Sequence, residues 1–545
     1  MQSAEEKLEI DGPNERQFHS VLYFPKGEAL HYPGYLLAIE KSPQNIIGGP
    51  KEGTDRTGFV HGDAEYLTGE PPPGFSGGTR DQIRDFQHRD RKALFVSHIA
   101  RYGVDAQDQN GAYQMVDHCF LYNAYKAKGV ADSGIADATL NRMYDWRDCA
   151  DQLAVSGNTQ ASFGARSIDT LYSDGLDALL PLETQLTRDV KRDRYTHIVV
   201  IVMGWNTSQD EAIRNFNDIA GNIIQAAYET VRPGHASGKK DIPSSSAPAV
   251  FRPLVVGVTW PSFWTNGFTN FLSYPNKADD ADELGMSWLN VLLNRTLPCV
   301  LKSTATPDGR ITLRTVLIGH SFGARAATRA LFSSPLLETG PASSGPPSSV
   351  VDLAIGLQGA VSINRFVPSK SEEGAPYRDF TKLGNTHVVL TASDKDIATA
   401  WPSWYPASGS IQSYRKACDT SNVEYADTFS CWMAVDRSER AQSLSLCPAG
   451  TSDCEGSNTV DPAAVGSKVL YVDTSKGITE FNSPGSGGGA HSDIYRLPMG
   501  RLLWSLISTY APSEPHRLAG PLVCDKSAHS TTQAASGLLS SEPKR

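Results

Sequence analysis

The chain of 545 residues contains no apolar run approaching the roughly eighteen residues that cross a membrane. Its opening, MQSAEEKLEIDG, lacks the charged-then-apolar form of a secretory leader. It therefore reads as cytoplasmic if the chain is complete as given, and as extracytoplasmic if Met1 replaces a removed leader. There is no excess of positive charge: 50 Lys and Arg against 60 Asp and Glu leave a net charge of -10, which gives no general attraction for nucleic acid or an anionic membrane. Cysteine is scarce, at 8 residues, and no C-x-x-C spacing or His partner supports a zinc site. Four of them, Cys418, Cys431, Cys447 and Cys454, fall in one polar, serine-rich insertion. There they are either disulfides holding a loop with little core of its own or unpaired thiols.

What remains is the composition of a soluble globular protein, 40% hydrophobic and 20% charged, long enough for one large domain with insertions or for two to three domains. From about Tyr195 onward, short β-branched runs alternate with helical patterns, which predicts an α/β class with a mostly parallel sheet and helices on both faces. The predicted strands are His197 to Met203, Leu254 to Thr259, Thr315 to Ile318, Leu353 to Leu357, His387 to Ala392 and Lys468 to Val472. After the first, a Ser208/Glu211 capping box opens a helix with Ile213, Phe216, Ala220, Ile223 and Ala227 on one face. The expected layout is an N-terminal extension over 1–190, forming extra strands or a partial cap, then the main domain over 191–512 with an insertion at about 398–465, and a partly disordered tail over 513–545.

Chemistry concentrates at Thr315 to Phe332, TVLIGHSFGARAATRALF. An apolar strand runs into Gly319-His320-Ser321-Phe322-Gly323 and then into a small-residue helix, the layout of a nucleophile elbow. The pattern G-x-S-x-G is weak alone, since Gly74-Phe75-Ser76-Gly77-Gly78 also fits. That match follows three prolines and leads into polar residues, so context selects Ser321. A serine hydroxyl needs a base, and the base needs an orienting acid. On an open α/β sheet both should follow strands at their carboxyl ends. His491, in the glycine-rich GGGAHSDIY, follows the last strand, and Asp394 comes two residues after HVVLTA. Asp394 competes with Asp396 in the same SDKD turn and is preferred because it is nearer the strand end.

The elbow GHSFG, the order Ser321, Asp394, His491 and the loop Met203-Gly204-Trp205-Asn206 together resemble a serine hydrolase of the α/β-hydrolase superfamily over roughly 195–510. Within it the likeness is to a subgroup with a GWN loop and a WPS segment, here Trp260-Pro261-Ser262. The resemblance implies that the backbone N–H groups of Phe322 and Trp205 form the oxyanion hole, and that no cofactor is needed. One position departs from the family, where His commonly stands in place of Met203. The expected activity is hydrolysis of a carboxylic ester of a small-molecule acyl substrate through an acyl-enzyme on Ser321. An amidase or thioesterase would use the same triad, and a catalytically inactive hydrolase fold serving as a binding protein is the non-enzymatic alternative. Phe263, Trp264, Phe268, Phe271, Trp401, Trp404 and Tyr405 either line an acyl pocket or pack loops. The acidic run Asp279-Asp280-Ala281-Asp282-Glu283 lacks calcium-ligand spacing and reads as the start of a helix.

Overall fold

A computed structural model describes residues 30–41, 94–123, 149, 168–231, 251–262, 274–333, 349–367, 383–436, 444–449, 469–480 and 489–524, with short gaps inside several of these ranges. The Ser76 loop, Asn206, Ser208, Phe263, Trp264, Phe268, Phe271, Trp401, Trp404, Cys454 and the tail beyond 524 lie outside the described residues.

The strands are β1 (Gly34–Lys41), β2 (Leu94–Gly103), β3 (Asp117–Asn123), β4 (His197–Val202), β5 (Pro253–Thr259), β6 (Arg314–His320), β7 (Leu353–Leu357), β8 (His387–Ala392), β9 (Phe429–Asp436), β10 (Leu444–Pro448) and β11 (Val469–Asp473). They form one eleven-stranded sheet in the order β10-β9-β11-β8-β7-β6-β4-β5-β1-β2-β3. Every neighbouring pair from β9 to β1 is parallel, and the antiparallel pairs are confined to the two edges, β9/β10 on one side and β1/β2/β3 on the other. The sheet is thus mixed but mostly parallel.

The principal helices are α1 (Ile168–Arg192), α2 (Gln209–Val231), α3 (Tyr274–Met286), α4 (Phe322–Phe332) and α5 (Leu497–Tyr510). Their placement follows from the strand sequences, whose central members are mostly apolar, are buried at every position and must be covered on both faces. In β4 alternate residues divide accordingly: Ile198, Val200 and Val202 join the core that contains α1, α3 and α4, while Val199 and Ile201 join the core that contains α2 and α5. Helix α2 brings Ile213, Phe216, Ala220, Ile223 and Ala227 into the second core, and α5 brings Leu502, Leu503, Leu506 and Ile507 beside them. Burying each such large aliphatic or aromatic side chain stabilises by about 1.5–3 kcal/mol, so this stripe, more than helix propensity, fixes α2 in place.

Residues 1–190 contribute β1 to β3 and α1, so the N-terminal extension shares the sheet of the main domain. The insertion is not the coreless loop that its composition suggests. It contains β9 and β10, which extend the sheet, and its Tyr414, Tyr425 and Phe429 pack with Tyr471 of β11 at ring-centroid separations of 5.2–6.2 Å. A disulfide joins Cys418 to Cys431 of β9, and Cys447 of β10 is disulfide-bonded as well. Two further disulfides, Cys119–Cys149 and Cys299–Cys524, lie outside the insertion. The acidic run also differs from expectation. It lies inside α3 with Asp280, Asp282 and Glu283 buried. Asp282 accepts from Arg325 at 2.6 Å and Arg365 at 3.0 Å. Burial alone would raise its carboxyl, but those two guanidinium groups hold it well below the usual carboxylate range.

Candidate active site

The chain leaves β4 toward β5 on one side and continues from β6 to β7 and β8 on the other, so the loops after β4 and β6 diverge. An α/β sheet opens a crevice at such a switch point. Ser321 follows β6 and Gly204-Trp205 follows β4, and the two are in contact: a Cβ on Gly204 would sit 2.6 Å from the Ser321 Cβ and 2.8 Å from the His320 carbonyl oxygen. Only glycine permits this approach.

Ser321 is the residue before the first turn of α4 and has φ 54° and ψ -119°. The neighbours enforce this unfavourable conformation. Its N–H donates to the Leu357 carbonyl at 3.0 Å, and its own carbonyl accepts from Ala324 at 3.1 Å and Ala360 at 3.0 Å. A Cβ on Gly323 would run into the carbonyl oxygen of Val202, which is why α4 can start directly against β4. A strand, a tight turn with a positive-φ serine and a helix therefore surround GHSFG.

The His491 imidazole lies beside Asp396, with Nδ1 2.9 Å from the carboxylate Oδ2. Asp394 is not its partner, contrary to the preference from sequence. The Asp394 carboxylate is 42% exposed and lies 3.5 Å from the Lys395 ammonium. The reason is a turn immediately after β8, in which the Asp396 N–H donates back to the Ser393 carbonyl at 3.3 Å. Asp394 occupies the outer corner of that turn, and Asp396 returns to the sheet edge, where it bridges to Gly489. The Ala490 N–H donates to the Lys395 carbonyl at 3.2 Å, so the segments carrying Asp396 and His491 are stitched main chain to main chain. Further along the same loop, Asp493 accepts from the backbone N–H groups of Thr479 and Glu480 at 2.7 Å and from Arg496.

The Asp396 carboxylate is fully enclosed and accepts at both oxygens. Oδ1 takes the Thr399 N–H at 3.1 Å, and Oδ2 takes the Gln358 side-chain amide at 3.3 Å in addition to His491. His320 lies between Ser321 and His491. It immediately precedes Ser321, its ring centroid is 4.7 Å from that of His491, and its Nε2 donates to the His491 carbonyl at 3.1 Å. Burial first, and the neighbouring His491 second, push the His320 imidazole well below its ordinary range, so it is neutral near pH 7.

The WPS segment supports the loop after β4. The Trp260 indole N–H donates to the Met203 carbonyl at 2.6 Å, and the Ser262 hydroxyl donates to the Thr207 carbonyl at 2.9 Å. Both ends of the loop are thus tied down, and the Met203 side chain packs into the core with α2. Trp205 lies over Phe322 with ring centroids 6.2 Å apart. Tyr405, the described member of the aromatic set, accepts from Arg325 at 2.9 Å and donates to the Ala360 carbonyl at 3.3 Å. It packs the loop after β7.

The supporting residues Gln358, Thr391, Trp260 and Ser262 were not singled out as site residues by sequence. Gln358 and Trp260 carry a positional signal, each being the first residue after a predicted strand, and Trp260 and Ser262 also belong to the WPS segment; Thr391, inside a predicted strand, carries none. Comparison with known proteins yields no match: no family model, no curated protein and no solved structure shows significant similarity to this chain.

Proposed function

We propose that the protein is a serine hydrolase with an α/β-hydrolase-type fold that cleaves a carboxylic ester through an acyl-enzyme on Ser321. The observation that carries this is the strained Ser321 at the switch-point crevice, joined through His320 to the His491–Asp396 pair. In this scheme Ser321 Oγ bonds to the acyl carbon while its proton passes to His491 Nε2, the nitrogen not engaged by Asp396. The tetrahedral oxyanion is met by the backbone N–H groups of Phe322, at the positive end of α4, and of Trp205. Collapse breaks the bond to the alkoxy group, which leaves as the alcohol with the proton from His491. Water then repeats the sequence on the acyl-enzyme, His491 taking its proton and returning one to Ser321.

A fluorophosphonate probe on the folded protein tests this directly. The expected adduct is on Ser321 alone and is absent after Ser321→Ala. A panel of p-nitrophenyl esters of graded chain length then reads the acyl preference. Absence of labelling and of turnover across the panel would instead favour a binding protein built on the same fold.

A further inference from the structure

Among the described residues, the non-glycine positions with positive φ are Arg194, Ser321 and Gln358. Arg194 lies in the turn between α1 and β4. The other two lie at the site, and backbone strain of this kind persists only where surrounding contacts over-determine it. For Ser321 the strain presents a nucleophile. Gln358, at φ 45° and fully buried immediately after β7, has no role in the chemistry above.

Its contacts form a directed chain. The Gln358 N–H donates to Thr391 Oγ1 at 3.0 Å. That hydroxyl donates in turn to Gln358 Oε1 at 2.8 Å, which fixes the amide oxygen on the Thr391 side. The amide NH2 is thereby turned toward Asp396 Oδ2, 3.3 Å away, the same oxygen that meets His491 Nδ1. An oxygen that accepts two donors fixes the proton of His491 on Nδ1 and leaves Nε2 with its lone pair. A neutral amide also supports the carboxylate without cancelling the negative charge that stabilises His491 when it becomes cationic in the transition state. The backbone strain has a purpose on this account: Gly409 lies against the Gln358 backbone, where a Cβ would meet its carbonyl carbon at 2.7 Å, and the kink turns the side chain back toward β8.

We propose that Gln358 is a positioning residue for the acid–base pair, clamping the Asp396 carboxylate in the orientation that meets His491, with Thr391 setting the orientation of the clamp. The proposal rests on the serine hydrolase reading. Fluorophosphonate labelling of the unaltered protein separates the two, since it tests the nucleophile without reference to Gln358.

The decisive variant is Gln358→Glu, which is close to isosteric. When protonated, the new carboxyl donates to Asp396 as the amide does; when ionised, it repels that carboxylate. Relative to the unaltered protein at each pH, Gln358→Glu should retain activity at the acidic end and lose it as pH rises and the new carboxyl ionises. Gln358→Met, which removes the donor, should lower kcat on the order of ten- to hundredfold with KM nearly unchanged. Thr391→Val, which frees the amide to turn, should give a smaller loss of the same kind. Circular dichroism and Tm report whether each variant folds. If Gln358→Met does not fold, the pH profile of Gln358→Glu and the kcat of Thr391→Val decide. Unchanged kcat in the folded variants, with a Gln358→Glu profile parallel to that of the unaltered protein, overturns the clamp while leaving Ser321 in place. Failure of the unaltered protein to label removes both.

Discussion

A single imidazole nitrogen of His491 faces a carboxylate, and that carboxylate belongs to Asp396. Asp396→Asn should therefore cut kcat by about 10⁴ with KM little changed, because an amide at that position favours the wrong tautomer of His491. Asp394→Asn, at an exposed turn corner, should alter stability by no more than about 0.5 kcal/mol and leave turnover near that of the unaltered protein. Steady-state kinetics on the best ester of the panel check both. The two aspartates also mark where sequence reasoning reached its limit. Ser321 and His491 were legible because glycine-rich turns after apolar strands advertise themselves. The choice between residues two apart depends on whether the chain turns at once after β8, and that is decided by the Ser393 carbonyl and the Gly489 bridge, a main-chain contact across 93 residues that leaves no local trace.

At the level of elements, the runs between His197 and Val472 mark their strands to within a residue or two, since a parallel strand buried on both faces is apolar at most positions and this is visible in any window of six. The edges were harder to read. β9 and β10 mix polar with apolar residues because one side of an edge hairpin is less covered, and β1 to β3 lie far apart in sequence. The loop after β4 supplies the prediction at this scale. Trp260→Phe keeps a six-membered aromatic ring but removes the fused pyrrole half of the indole, and with it the N–H that holds the Met203 carbonyl. The expected result is a stability loss of about 1–3 kcal/mol from the orphaned carbonyl, with a further loss from the small cavity left by the buried indole. A displaced Trp205 N–H should also lower kcat by about ten- to hundredfold. Denaturant titration and kcat on the ester panel measure the two parts separately, and an unaltered kcat would show that the segment braces the fold without tuning the oxyanion loop.

The whole molecule carries two linked predictions. His98, His197 and His320 are buried, and burial lowers each imidazole, to about 3 for His98 and about 4 for His197 and well below the ordinary value for His320. The unfolded chain binds protons at these groups near 6.5, where the folded protein does not. Stability should thus be fully present above pH 6.5 and fall as pH drops toward 4, by about 1.4 kcal/mol per pH unit for each histidine. Urea midpoints at pH 7, 6 and 5 check the sign and slope. The disulfides set the second prediction. Mass spectrometry of unreduced peptides should recover Cys119–Cys149, Cys299–Cys524 and Cys418–Cys431 from protein made under oxidising conditions. Closing the short Cys418–Cys431 loop stabilises by about 3 kcal/mol, so reduction should loosen the β9 edge before the central strands.

The segment after α5 runs along the amino edge of the sheet, away from the crevice. Its Ala511 carbonyl accepts from His197 at 2.8 Å, its Pro512 carbonyl accepts from Arg314 at 2.7 Å, and His516 pairs its backbone with Ile311. Cys524 then fastens it to Cys299. Seen mechanically, this is an anchor. Tension applied at the C-terminus passes through the disulfide into the helix Leu297–Ser303 and stops there, so neither α5 nor the His491 loop ahead of it bears the load. Immobilisation through the C-terminus should therefore leave the crevice undistorted under flow or force while the bond is intact, and transmit the pull to His491 once it is reduced.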